Sequence, residues 1–161
     1  RLRALLWDVD GTLAETERDA HRVAFNQAFE ACALHWRWDV ELYGRLLRVA
    51  GGRERLLHFM DQVNDAPVGA AEREALAIRL HQAKNRFYSD IVTGGRIPLR
   101  DGVLPLMREA RERGMRMAIA TTTSRANVAA LLATHLGAGW QEWFDAVICG
   151  DANILNVSSK N

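Results

Sequence analysis

The apolar run formed by Leu2, Ala4, Leu5, Leu6 and Trp7 stops at two aspartates, Asp8 and Asp10, which are followed at once by Gly11 and Thr12. Nearly continuous apolar character over so short a stretch reads as a strand buried on both faces, the habit of a parallel sheet. A parallel strand needs a crossover to reach its neighbour, so this opening commits the chain to an α/β architecture. Side chains at i and i+2 of a strand point the same way, so both carboxylates project into one crevice as the strand ends. Two like charges so close repel, and a divalent cation between them or a proton on one relieves the repulsion. Gly11 permits a sharp exit from the strand, and Thr12 can hydrogen-bond the turn. Mg²⁺ held by such oxygens would draw in a phosphate, which one carboxylate could attack while the other moves protons. The D-x-D-G tetrapeptide also occurs in calcium loops and Asx turns. An EF-hand loop, however, follows a helix and closes on a Glu at its twelfth position, where this chain has Asp19.

The pattern then changes. From Glu15 to about Leu99 it is helical, with Phe25, Ala28, Phe29 and Cys32 on one face and Leu76, Leu80, Ala83 and Phe87 on another. The spacing predicts later helices over Trp36–Ala50, Glu54–Val63 and Ala70–Tyr88, with breaks at Gly51-Gly52 and at Asn64-Asp65-Ala66-Pro67. Thr93 to Gly102, TGGRIPLRDG, reads as a hinge. Beyond it come an amphipathic helix from Val103 with Pro105 in its first turn and Gly114 as its stop, then a strand over Met115–Ser124. Another helix carries Val128, Leu131 and Leu132, and a last strand covers Phe144–Asp151. Strand, helix, strand, helix, strand implies a right-handed, doubly wound parallel sheet of Rossmann-like form. Residues 1–14 and 100–161 would form this core, and 15–99 an α-helical cap inserted at the carboxyl end of the first strand. Open α/β sheets bind their ligands at that end, where an insertion can act as a lid.

Thr121, Thr122, Thr123 and Ser124 end the second strand beside a helix start, whose free N–H groups favour an anion. Ser124 alone would serve as a cap, but four consecutive hydroxyl residues exceed what a cap needs. Lys and Arg number 21 against 20 Asp and Glu, so no basic field points to nucleic acid or an anionic membrane, and small molecules are the expected partners. No apolar run is long enough to span a bilayer and no signal peptide is evident, which fits a cytoplasmic protein. Cys32 and Cys149 belong to no metal-binding spacing and read as reduced core residues.

DVDGTLAETE, HRVAFNQAF, GGRERLLHF and ATTTSRANV together resemble the haloacid dehalogenase-like hydrolase superfamily, in particular its CbbY-like branch, and are similar also to β-phosphoglucomutase. The resemblance covers Leu5 to about Asp151. It implies a Mg²⁺-dependent phosphatase acting on a small sugar phosphate, such as xylulose 1,5-bisphosphate, with a phosphohexomutase as the alternative. Asp8 would be the nucleophile and a metal ligand, and Asp10 the general acid/base, its backbone carbonyl completing part of the metal shell. Thr121 and the Thr122 amide would bind the transferring phosphate. Arg53, after Gly51-Gly52, would meet the far phosphate, with Gly52, Glu15, His21 and Asn127 helping to position the substrate. A helix-surface role suits Arg53 equally well, since Arg55 looks just as basic, and a lone helical His such as His21 is more often packed or solvated.

The family also uses a Lys before Pro-x-Pro and an acidic motif on a fourth core strand. After ICGD this chain reads ANILNVSSKN, where Lys160 is the nearest Lys and no Pro follows Gly150. The sequence therefore predicts an incomplete, truncated core, with a non-catalytic family member as a further alternative. Family members are monomers, and here the open sheet edge would invite self-association.

Overall fold

A computed structural model describes residues 2–151, so ANILNVSSKN, with Lys160, lies outside the described residues. Three strands, β1 (Ala4–Trp7), β2 (Arg116–Ala120) and β3 (Ala146–Ile148), form one parallel sheet in the order β1-β2-β3. The crossovers use α5 (Val103–Glu112) between β1 and β2, and α6 (Arg125–Leu136) between β2 and β3. Four further helices precede them in the chain: α1 (Arg22–Ala31), α2 (Val40–Leu46), α3 (Gly52–Met60) and α4 (Ala70–Thr93).

The register pairs Leu5 with Met117 and Trp7 with Ile119, and this row packs inward, with Trp7, Met117 and Ile119 buried. The alternate row does not. Leu6 is 72% and Ile148 55% exposed, which corrects the expectation of a first strand buried on both faces. The reason is topological: strands added in one direction by right-handed crossovers carry both connecting helices to the same side of the sheet. Met107 and Ala110 of α5 and Val128, Leu131 and Leu132 of α6 are buried accordingly. β2 and β3 stop earlier than expected, at Ala120 and Ile148 rather than at Ser124 and Asp151, so the hydroxyl residues after Ala120 lie beyond β2.

The chain divides into two compact units, Arg1–Glu15 with Pro98–Asn161, and Thr16–Ile97. The second unit is helical and has its own core. A π-helical turn over Glu17–His21 runs straight into α1, whose Phe25, Ala28 and Phe29 are fully buried and which packs along α4. The helix expected over Trp36–Ala50 is much shorter. Asn26 accepts from the Trp38 backbone N–H and donates to its carbonyl, both at 2.8 Å, which holds Trp38 extended as a paired strand would. Asp39 then caps α2 by accepting from the Leu42 N–H at 2.7 Å. The extended segment drives Trp36 and Trp38 into an aromatic cluster, Trp38 lying 4.7 Å from Phe25, 5.0 Å from Phe29 and 5.4 Å from Phe59 between ring centroids. α4 outruns its expected end and stops at Gly94-Gly95. Both cysteines are free, Cys149 buried and Cys32 half-buried. Among the described residues no helix is long and apolar enough to cross a membrane.

Trp38 is fully buried among four aromatic rings, so Trp38→Ala is expected to cost the helical unit about 3–5 kcal/mol, read as a lower denaturation midpoint.

Candidate active site

Just past β1, Val9 is fully buried while Asp8 is exposed and Asp10 half-buried, so strand alternation continues and turns both carboxylates away from the side Val9 fills. The Asp8 carboxylate accepts from the Val9 backbone N–H at 2.8 Å. Gly11 then adopts a φ of 73°, which glycine alone takes without strain, and the chain folds back so that Thr12 and Leu13 donate to the Val9 carbonyl. Arg100, which no sequence signal marks, fastens this turn from the far side of the insertion. Its guanidinium donates to the Gly11 carbonyl at 2.7 Å and pairs with Glu15 at 2.8 Å, while its backbone N–H donates to the Leu13 carbonyl at 2.8 Å. Glu15 thus lies at the exit of the turn, partnered by Arg100.

The register places the end of β2 beside the end of β1, so the hydroxyl run emerges next to the aspartates. Its members have separate tasks. The Thr121 N–H donates to the Ile148 carbonyl at 3.0 Å, and its hydroxyl accepts from the Thr123 N–H at 3.3 Å. Thr123 is buried, and its hydroxyl accepts from the Asn127 amide at 3.0 Å. Ser124 caps α6 by accepting from the Asn127 N–H at 3.3 Å. Asp151 accepts from the Arg125 N–H at 2.9 Å. Two of the first three amides of α6 are therefore committed internally, which narrows the anion site expected at this helix start to Thr121 and exposed Thr122. Asn127 is buried at 3% exposure and supports Thr123 from behind.

The helical unit holds the remaining residues. His21 is buried and stacks on Tyr88 with centroids 4.3 Å apart. Gly52 opens α3 with the His81 imidazole so close that an added Cβ would lie 2.8 Å from its Nε2. Arg53 is exposed and carries ion pairs with Glu54 and Glu74. These carboxylates, Glu54 first through its hydrogen bond, raise the guanidinium's affinity for its proton. Burial works to raise the Glu54 pKa, but its own backbone N–H and Arg53 outweigh that and hold it low. Burial, with Lys84 adding to it, lowers His81 to about 4, so its ring is neutral near pH 7. Among the described residues no group of three or more His, Cys, Asp or Glu is arranged to hold a metal.

The chain thus sets a carboxylate pair just past β1 and a run of hydroxyls just past β2, with a helical insertion between them in sequence. Residues 2–159 match the haloacid dehalogenase-like hydrolases, and the chain belongs to that family. Within it the chain is similar to the CbbY proteins: 47% identical over 146 residues to CbbY of Cupriavidus necator, and 43% over 150 residues to that of Rhodobacter capsulatus. These alignments cover 91% and 93% of this chain but 57% and 63% of the relatives, so the chain spans less than two thirds of their length. The crystal structure of CbbY from Rhodobacter sphaeroides in complex with xylulose-(1,5)bisphosphate superposes with a TM-score of 0.85 at 39% identity, covering 96% of this chain and 66% of that one.

A Cβ at Gly150 would fall 2.0 Å from the Thr122 carbonyl oxygen, so Gly150→Ala must displace backbone and is expected to lower stability by about 1–3 kcal/mol in chemical denaturation. His81 binds a proton less readily in the folded state than in the unfolded chain, where its pKa is near 6.5. Its contribution is complete above that pH and is lost as pH falls towards about 4. His81→Gln should flatten the decline of melting temperature across that window.

Proposed function

We propose that this chain is a Mg²⁺-dependent phosphatase that hydrolyses a small sugar phosphate through an aspartyl-phosphate. The observation that carries the reading is the exposed Asp8 carboxylate at the end of β1, followed at i+2 by Asp10 and flanked by the hydroxyl run after β2. An Asp8 oxygen attacks phosphorus in line, the phosphorus–oxygen bond to the sugar breaks, and Asp10 gives its proton to the departing alkoxide. Asp10, now a carboxylate, takes a proton from water. That water attacks the phosphorus of the acyl phosphate, releasing inorganic phosphate and restoring Asp8. Thr121 and the Thr122 amide hold the phosphoryl oxygens in this reading, and Asn127 keeps Thr123 and the end of the run in place.

The donor set suits Mg²⁺, which keeps several waters and takes one or two carboxylates rather than a full protein cage. Asp8 and the backbone carbonyl of Asp10 would hold it, and the ion supplies positive charge against the phosphoryl oxygens. The substrate class follows the relatives. CbbY of Rhodobacter sphaeroides has been crystallised with xylulose-(1,5)bisphosphate, and a bisphosphate gives the exposed Arg53 a second phosphate to meet, with His21, Gly52, Glu15 and Asn127 as the other substrate-positioning residues in this reading.

Incubation with Mg²⁺ and acetyl phosphate, followed by rapid acid quench and intact-mass spectrometry, should reveal a phosphoryl adduct that Asp8→Asn abolishes. Xylulose 1,5-bisphosphate should release phosphate with no bisphosphorylated activator, whereas a mutase would require one. A folded sample that gives neither adduct nor phosphate would overturn the reading.

A further inference from the structure

Arg53 and Arg55 are alternatives the sequence cannot separate, and the structure separates them completely. Two residues apart on α3, they face different sides of the helix: Arg53 is exposed and Arg55 is buried at 8% exposure. The Arg55 fork is built into the fold. Its Nε donates to the Leu46 carbonyl at 3.2 Å, Nη2 to the Val49 carbonyl at 3.1 Å, and Nη1 to the Tyr43 hydroxyl at 3.2 Å. The guanidinium also lies 5.3 Å from the Tyr43 ring centroid. Tyr43 passes the connection on, its hydroxyl donating to the Glu17 carboxylate at 2.7 Å. A buried cation is thus linked through one phenol to an anion on the π-helical turn.

Two of these bonds end on backbone. Leu46 is the last residue of α2, where carbonyls lack helical partners and the helix dipole favours a cation. Val49 lies midway along the connector between α2 and α3, which ends at Gly51 with a φ of 87° and delivers Gly52 and Arg53. Arg55 therefore reaches back across its own connector and fixes it at two points.

We propose that Arg55, backed by Tyr43, is a positioning residue that sets where the connector presents Arg53, and so sets affinity for a second phosphate without taking part in the chemistry. The substrate half of this statement rests on the phosphatase reading above. A lysine preserves the charge but gathers its donors on one nitrogen, losing the planar fork whose separate nitrogens reach Leu46, Val49 and Tyr43 at once. Tyr43→Phe keeps the ring packing and removes the link to Glu17.

Hydrogen exchange on the full chain tests the structural half without any activity. In Arg55→Lys the amides of residues 47–52 should exchange roughly tenfold faster, with α1 and α4 unchanged, and Tyr43→Phe should show a smaller change at the same place. For the substrate half, KM for xylulose 1,5-bisphosphate should rise roughly tenfold at near-constant kcat, while kinetics with p-nitrophenyl phosphate, which has no second phosphate, stay as in the wild type. Exchange that accelerates evenly through the helical unit, or not at all, overturns the proposal, as does an equal loss of kcat on both substrates. A wild-type chain inert towards both compounds overturns the phosphatase reading and the substrate half with it; the exchange pattern then decides the connector's dependence on Arg55 separately.

Discussion

The register of β1 against β2 is the constraint on which the carboxyl edge depends. Trp7 sits opposite Ile119, so the two strands run out together and the residues that follow are delivered side by side. A slip of β1 by one residue would turn Trp7 to the open face and carry the aspartates away with it. Burial of that row therefore holds the site in place as much as any bond within it. The edge is then finished by short local contacts: the Gly11 turn, the Arg100 fastening, and the close approach of Gly150 to Thr122.

Much of this was legible in the residues. Apolar runs that end in oxygen-bearing side chains mark strand ends, and the parallel sheet with its helical insertion follows from their order. What escaped the sequence depended on contacts distant along the chain. Nothing in WRWDVELYG announces that Asn26 pairs with the Trp38 backbone, so an amphipathic pattern that would have been a long helix becomes an extended segment. The open face of β1 escaped for a related reason: an apolar run records what a strand is suited to pack against and says nothing of which side its crossovers take.

The site shows the same division. Asp8, Asp10 and the hydroxyl run are marked by local spacing. The distinct duties within TTTS are not, because they are assigned by Ile148, Asp151 and Asn127. The two arginines of GGRER are chemically identical in the sequence, and only the turn of α3 sends one to two glutamates and the other to two carbonyls.

The bridge between Ala14 and Leu99 brings both ends of the helical insertion to one place on the core unit, with Arg100 tying Gly11 and Glu15 there. An insertion whose ends already touch adds almost nothing to the loop-closure entropy of the domain that carries it. The core can keep its register whatever is grafted between those residues. Insertions of different length and composition can therefore be accommodated at this point without redesigning the sheet that carries them, so the two units are free to change at separate rates.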